Sequence, residues 1–225
     1  MILMIATLLI ILATVWSQYR NGLFSSVAML IKVVIAGLVA FNFFEPIADF
    51  LDPVFQNNIL AGSEDLISLL VLFSVTLFIL RLFTNQLAPE MIEEHGALQH
   101  FGAGGVGVVT GYLLAGFLTC ALQTLPIDEN FMGFEPRNPS EPGYRSFCPP
   151  DRVWLVLMRH AGAYPFTWNE EPRPEGASAV ERYATFDRNA TFELRYLRYR
   201  RHTETRPPMI YVGEFDRDLG RPKPK

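Results

Sequence analysis

Four long apolar runs fill the first half of the chain and are separated by polar connectors. The runs cover residues 2–16, 23–44, 66–83 and 103–122. A hydrocarbon core about 30 Å thick requires about 20 residues of helix, a length that the first run reaches only if Met1 and residues 17–19 are included. Backbone amides must be paired in lipid, and the alternation typical of β-barrel strands is absent. The pattern predicts four transmembrane helices; the alternative is a soluble bundle of very apolar helices.

The chain divides into a membrane part and a polar part. We expect an all-α membrane protein in which residues 1–122 form a bundle of about four transmembrane helices. Residues 123–225 are expected to form a polar, proline-rich, partly ordered region outside the bilayer, because 13 of the 16 prolines lie there. Within the membrane part, residues 45–65 are predicted to be a loop, since they contain Pro46, Pro53 and five carboxylates.

Short elements are predicted in the polar region. Asp151 follows two prolines and precedes apolar positions, which predicts a short N-capped helix that ends at Gly162 and cannot span a bilayer. Helical stretches are expected at residues 177–186 and 191–202, the second with its aromatic residues on one face. A strand is expected at residues 209–215.

Charge is divided unevenly between the two parts. The residues before Leu125 include three basic and eight acidic side chains, a net charge of −5, whereas the rest has 16 basic and 15 acidic side chains, a net charge of +1. Neither part has the basic excess of a nucleic-acid-binding surface, so nucleic acid is not expected as a partner. The expected partner of the first part is the lipid bilayer.

The basic residues near the predicted spans indicate an orientation. Arg20 and Arg81 fall on one side of a four-span bundle, and the acidic segment 45–65 falls on the other. The positive-inside rule places the Arg20 and Arg81 side in the cytoplasm. The N-terminus and the C-terminal extension are then expected outside the cytoplasm.

Small residues recur every four positions along the fourth run. Ala103, Gly107, Gly111 and Ala115 form a stripe that includes one GxxxG pair. Small side chains let two helix backbones approach closely, and close approach drives helix association in lipid. The stripe predicts a helix-packing seam, either within the four-helix unit or between copies in a homo-oligomer.

Lys32 is a charged residue near the middle of the second run. An unpaired charge at the bilayer centre costs at least about 2.5 to 3.5 kcal/mol, so Lys32 is expected to face the bundle, water or a partner group. It is the candidate intramembrane polar residue of a functional pathway. The alternatives are a lysine that snorkels, or a helix displaced so that Lys32 lies nearer an interface.

The sequence offers no assembled catalytic, metal or cofactor site. It contains no HExxH or GxSxG motif and no pair of intramembrane aspartates. Gly102, Gly104 and Gly105 lack the lysine and hydroxyl residue of a phosphate-binding loop. Cys120 and Cys148 give neither a disulfide framework nor metal-ligand spacing. No catalytic residue and no cofactor are expected, and the chain is not expected to be an enzyme.

The first 122 residues resemble the bacterial CvpA family, the colicin V production protein and its relatives. The resemblance lies in the four spans and in three segments, YRNGLF at 19–24, AFNFFEP at 40–46 and FGAGGVG at 101–107. Family members often have an Asp-Arg pair before the glycine-rich span, where this chain has Gln99 and His100, so no role of that pair is carried over. The stretch CPPDRVW at 148–154 looks like extended members from planctomycete-type bacteria.

The resemblance implies a bacterial inner-membrane protein linked to toxin production or export, or to envelope homeostasis, without catalysis. The alternative is a small channel or transporter subunit with Lys32 in its pathway. A third class, a membrane-anchored enzyme with its active site in the C-terminal region, lacks a nucleophile, base or metal cluster in the sequence. The sequence does not indicate a protein partner.

Overall fold

A computed structural model describes most of the membrane part and two portions of the C-terminal region. The described residues are 2–55, 62–87, 97–125, 149–162, Phe192 and Tyr196. The elements predicted at 177–186 and 209–215 lie outside this set, as does the segment 191–202 except for the two aromatic residues. Within the described ranges all regular structure is helical, which confirms the predicted all-α fold class.

Five helices make up the described structure. They are α1 (Ile2–Asn21), α2 (Leu23–Phe55), α3 (Glu64–Leu87), α4 (Ala97–Gln123) and α5 (Pro150–Ala161). The first four are long and apolar enough to cross a membrane, so the four predicted spans are confirmed. α5 has 12 residues and is too short to span, also as predicted.

The boundary predicted between the second and third spans is wrong. α2 continues through Pro46 and ends at Phe55, where a loop was expected from residue 45. Proline removes one helical hydrogen bond, but Phe44 and Ala48 on either side of it are buried in the core. Burial of this apolar face keeps the helix intact, while the Pro46 ring lies exposed.

Tight glycine turns begin α2 and precede α3. Gly22 has φ of 80° and separates α1 from α2 by a single residue. Gly62 has φ of 84°, and its amide donates a hydrogen bond to the Glu64 carboxylate at 3.0 Å. A positive φ is accessible to glycine at no steric cost, so both positions favour reversal of the chain.

The spans pack as two antiparallel pairs joined along one side. α1 packs against α4, and α2 packs against α3; contacts between α2 and α4 join the pairs. α5 folds back onto α4 and also contacts α2. Most apolar side chains of α1 stay exposed and face the lipid, and Gln18 is its buried residue. The core therefore lies between α2, α3, α4 and α5.

The start of α5 differs from the prediction. Pro149 is the N-cap residue, and it provides no side-chain cap. Asp151 lies in the first turn, buried, and accepts a hydrogen bond from Gln123 Nε2 at 2.9 Å. The prediction of an Asp151 cap is wrong because Pro150 is suited to the first helical position and starts the helix earlier. The predicted end at Gly162 is confirmed.

Candidate functional site

The predicted seam on α4 is buried, and α1 lies against its centre. A Cβ added to Gly107 would lie 3.0 Å from Val15 Cα, and one added to Gly111 would lie 2.8 Å from Ile11 Cα. The two helix backbones are therefore in contact, and any side chain larger than hydrogen would push them apart. Ala103 and Ala115, the other two residues of the stripe, are also buried.

This placement corresponds to packing within the chain, one of the two alternatives for the stripe. A second copy cannot reach Gly107 or Gly111 while α1 covers them. The exposed side of α4 is a different face, formed by Phe101, Gly105, Val108 and Val109. A Cβ on Gly105 would meet nothing within 4 Å. Homo-oligomer formation through the fourth span stays a prediction, and this exposed face is where it would occur.

A buried amide beside the seam was not anticipated from the sequence. Gln18 is 4% exposed, and neither its Nε2 nor its Oε1 has a hydrogen-bond partner within the described part of the chain. Its Cβ would lie 3.5 Å from a Cβ on Gly107, and its carbonyl accepts a hydrogen bond from Ser26 Oγ at 3.4 Å. A glutamine at the polar end of an apolar run gives no sequence signal for burial.

Lys32 lies half-buried in the half of the bundle where α1 ends and α2 begins. It is nine residues from Leu23, or about 13 Å along the helix. Because the candidate span of α2 extends from Leu23 to Leu51, its centre is at Gly37, five residues beyond Lys32. The longer span supports the alternative in which Lys32 lies nearer an interface than the sequence indicated.

Arg81 on α3 is a second charge in the same region. It lies six residues before Leu87, the last residue of the helix, and its side chain is exposed. α3 packs directly on α2, the helix that carries Lys32. Within the described residues, neither side chain forms an ion pair with a carboxylate. The structure thus places on two packed helices a pair of basic residues that the sequence did not link.

Charges are segregated along the bundle. The basic residues of the four spans are at or toward one end; they are Arg20, Lys32 and Arg81. The described carboxylates lie toward the opposite end, where α4 leads into the C-terminal region. They are Glu45, Asp49, Glu64, Asp65 and Asp151; α5 also places Arg152 and Arg159 at this end.

The aromatic layer is the central packing feature of the bundle and was missed by sequence analysis. Phe73 of α3 and Phe117 of α4 stack with ring centroids 3.9 Å apart. Phe41 of α2 lies 6.0 Å from Phe117, and Trp154 of α5 lies 5.7 Å from Phe117. We use the term aromatic layer for these four residues, which come from four helices.

Two glycines make room for Trp154. A Cβ on Gly37 would overlap the indole ring of Trp154, and a Cβ on Gly116 would overlap the carbonyl of Pro150. Trp154 is fully buried as a result. The sequence did contain a signal of a close contact at these positions, because Gly37 and Gly116 interrupt the apolar runs outside the predicted seam. Their partner was in the polar region and not in another span.

A further part of the C-terminal region packs on the same core. Phe192 lies 5.7 Å from Phe41 and 6.5 Å from Phe44, measured between ring centroids. The hydroxyl of Tyr196 donates a hydrogen bond to Asp65 Oδ2 at 2.7 Å. Both aromatic residues are buried; Tyr199, the third residue of the aromatic face predicted for this segment, lies outside the described residues.

Potential metal-binding and nucleophilic side chains do not form a cluster within the described ranges. No group of three His, Cys, Asp or Glu residues there is placed to hold a metal ion. Cys120 Sγ is buried and donates to the carbonyl of Asp151 at 3.4 Å. His100 lies at the opposite end, where its Nδ1 is 3.0 Å from the carbonyl of Tyr19.

Comparison with known proteins identifies the membrane part. A family model described as Colicin V production protein matches residues 3–136, which include almost all of α1 and the whole of α2, α3 and α4. α5, Phe192 and Tyr196 lie beyond the match. No curated protein and no solved structure matches the chain.

Proposed function

Because the chain belongs to the colicin V production protein family, we propose that it is a non-enzymatic membrane protein that supports toxin export or envelope homeostasis. In this role it acts through the surface of a rigid bundle, by holding partners in the bilayer. The match covers more than half of the chain and includes the four spans that define its architecture.

The filled interior of the bundle is the observation that carries this proposal. The aromatic layer closes the space between α2, α3, α4 and α5 with large side chains at contact distance. Such an interior resists compression and leaves no room for a passing solute. A single copy of the chain is therefore suited to support an assembly of membrane proteins. It is not suited to conduct ions or solutes through its own interior.

The segregation of charge supports a membrane orientation within this proposal. The end with Arg20, Lys32 and Arg81 faces the cytoplasm, in accordance with the positive-inside rule. Gln123 ends α4 at the acidic end, so the C-terminal extension begins outside the cytoplasm. The membrane is the bacterial inner membrane in this proposal. A reporter fused to the C-terminus tests the orientation, since cytoplasmic fluorescence without alkaline phosphatase activity would contradict it.

Gene deletion and complementation test the proposed role. In a bacterial host that secretes colicin V, deletion of the gene for this protein should reduce extracellular toxin activity or raise sensitivity to detergent. Expression of the full chain should restore toxin activity and detergent resistance. Because the role is not catalytic, Cys120→Ala and His100→Gln should also restore both at equal protein level. Loss of rescue in either variant, with normal membrane insertion, would contradict a non-enzymatic role.

A channel or transporter subunit is the second candidate, and the partial burial of the Lys32 charge is the observation that favours it. A half-buried cation among apolar spans is expected to serve a polar pathway or to be compensated by a partner group. Reconstituted in proteoliposomes, the full chain would then show ion flux that Lys32→Leu abolishes and Lys32→Arg retains. Equal flux in Lys32→Leu and the unmodified chain would exclude the pathway.

Oligomeric state separates the two candidates further, because a single closed bundle offers no pathway. Native mass measurement in nanodiscs compares the full chain with Gly105→Leu and Gly111→Leu. If the fourth span forms a homo-oligomer through its exposed face, Gly105→Leu should disrupt it while Gly111→Leu acts on the bundle itself. A monomer in all three samples would remove the oligomer hypothesis and with it the channel.

A further inference from the structure

Lys32 and Arg81 lie at the same depth in the bundle, as the aromatic layer shows. Phe41 of α2 and Phe73 of α3 both contact Phe117, so these two residues are level with one another. Lys32 is nine residues before Phe41, or about 13 Å, and Arg81 is eight residues after Phe73, or about 12 Å. Because the two helices are antiparallel, both displacements lead toward the same end of the bundle.

The two cations also lie on neighbouring helices, α2 and α3. These helices pack directly on each other, and at this one depth Lys32 is half-buried and Arg81 is exposed. The described carboxylates lie at the other end of the bundle, and none of them pairs with either side chain. Two like charges close together in a low-dielectric region repel each other, and an anion placed between them stabilises both.

The surface around the pair indicates where such an anion comes from. Ile31 and Ile35 beside Lys32, and Phe78 and Leu82 beside Arg81, are large apolar residues with exposed side chains. Lipid covers this surface in a membrane. A ligand that approaches here needs acyl chains for the apolar residues and a negative group for the cations, and an anionic phospholipid has both.

We propose that Lys32 and Arg81 together bind the phosphate of an anionic phospholipid on the outer face of the α2–α3 pair. The lipid belongs to the leaflet at the Arg20 end, and the long side chains of both residues extend toward its headgroup. Arg81 offers paired N–H donors to phosphate oxygens, and Lys32 supplies a point charge from the neighbouring helix. This site is independent of the proposed role in export.

Lipid retention by the purified chain tests the site. The full chain, Lys32→Gln, Arg81→Gln and Lys32→Arg are reconstituted in nanodiscs that contain phosphatidylcholine with a minor fraction of phosphatidylglycerol. The proteins are then extracted from the nanodiscs with detergent, and the lipids that remain bound to them are identified by mass spectrometry. The full chain should retain phosphatidylglycerol over phosphatidylcholine, and each Gln variant should lower retention roughly fivefold. Lys32→Arg keeps the charge and should retain the lipid.

Arg20→Gln is the matched control, because Arg20 is a basic residue at the same end but outside the pair. It should leave retention unchanged, and melting temperatures of all variants identify any loss caused by unfolding. The proposal would be overturned if Arg20→Gln lost as much phosphatidylglycerol as Lys32→Gln and Arg81→Gln do. It would also be overturned if the folded full chain retained phosphatidylglycerol and phosphatidylcholine equally. Displacement of the lipid by millimolar inorganic phosphate would also overturn it, because the occupant would then be free phosphate.

Discussion

α1 and α5 both pack on α4, and they contact it in different ways. α1 lies along Gly107 and Gly111 with its backbone in contact, and it keeps most of its apolar side chains toward the lipid. α5 comes from the C-terminal region and inserts Trp154 against Gly116 and Gly37. Glycine permits both contacts. The α1 contact joins two spans backbone to backbone, whereas the α5 contact places a large side chain in a cleft.

The difference shows how the stabilising interactions are distributed. Along the seam, close backbone approach gives many small dispersion contacts without a large buried side chain. At the α5 contact, a fully buried Trp154 touches aromatic rings from α2 and α4. We therefore expect the region outside the spans to contribute as much to the stability of the bundle as a transmembrane helix does.

The substitution Trp154→Ala should have the largest effect, because it empties the cleft. Removal of a buried tryptophan side chain costs about 3 to 5 kcal/mol in free energy of unfolding. Val156, two residues away on α5, is 56% exposed, so Val156→Ala serves as the control and should change stability little. Thermal unfolding in mild detergent measures both. Similar losses in the two variants would show that α5 does not depend on its buried face.

Gly116→Ala should have the next largest effect and compares the two contacts directly. The added methyl group overlaps the Pro150 carbonyl, a backbone atom, so α5 must move, at a cost of about 1 to 3 kcal/mol. Gly111→Ala should cost a similar amount by displacing α1. Gly105→Ala is the control on the same helix; it meets open space and should be neutral or stabilising by up to about 1 kcal/mol.

Labelling of Cys120 distinguishes the two displacements. The thiol is buried and donates to the Asp151 carbonyl of α5, so maleimide reaches it only when α5 moves. In a Cys148→Ser background, Gly116→Ala should speed labelling, and Gly111→Ala should not. Faster labelling in Gly111→Ala alone would mean that α1, and not α5, shields Cys120.

The seam could be predicted from the sequence because its signal is local. Gly107 and Gly111 repeat at one period within a single apolar run, and lipid requires that run to be helical. The four spans follow from the same requirement. Pro46 misled the prediction of the α2 boundary, because its effect depends on whether Phe44 and Ala48 are buried.

The α5 contact and the Lys32–Arg81 pair could not be predicted in the same way. Trp154 is more than 100 residues from Gly37 in sequence, and Lys32 is 49 residues from Arg81. No periodic pattern links residues on different elements, so the relative depth of helices must be known before they can be paired. The sequence identified Lys32 as costly in lipid, but the structure was needed to supply its neighbour.

Asp151→Ala should weaken the contact between α5 and α4 at the hydrogen bond between Asp151 and Gln123. The side chain of Asp151 is buried and accepts a hydrogen bond from Gln123 Nε2 at 2.9 Å. Loss of the acceptor leaves a buried amide unpaired, at a cost of about 1 to 3 kcal/mol. In a double-mutant cycle with Gln123→Leu, the double variant should lose less stability than the two single variants combined. Strict additivity would show that the two side chains do not interact.

Tyr196→Phe should have the smallest effect and tests whether the C-terminal region is held by more than apolar packing. The hydroxyl of Tyr196 donates to Asp65 at 2.7 Å across 131 residues of sequence, and the ring packs on Phe192. Phenylalanine keeps the ring and removes only the donor, so the expected loss is about 0.5 to 1.5 kcal/mol. Tyr19→Phe is the control, because the Tyr19 ring is exposed at the other end of the bundle and its hydroxyl forms no hydrogen bond within the described residues. If thermal unfolding detects equal changes in the two variants, the Asp65 contact does not stabilise the C-terminal extension. Trp154 would then be the residue through which the C-terminal region stabilises the bundle, in contrast to the backbone contact made by α1.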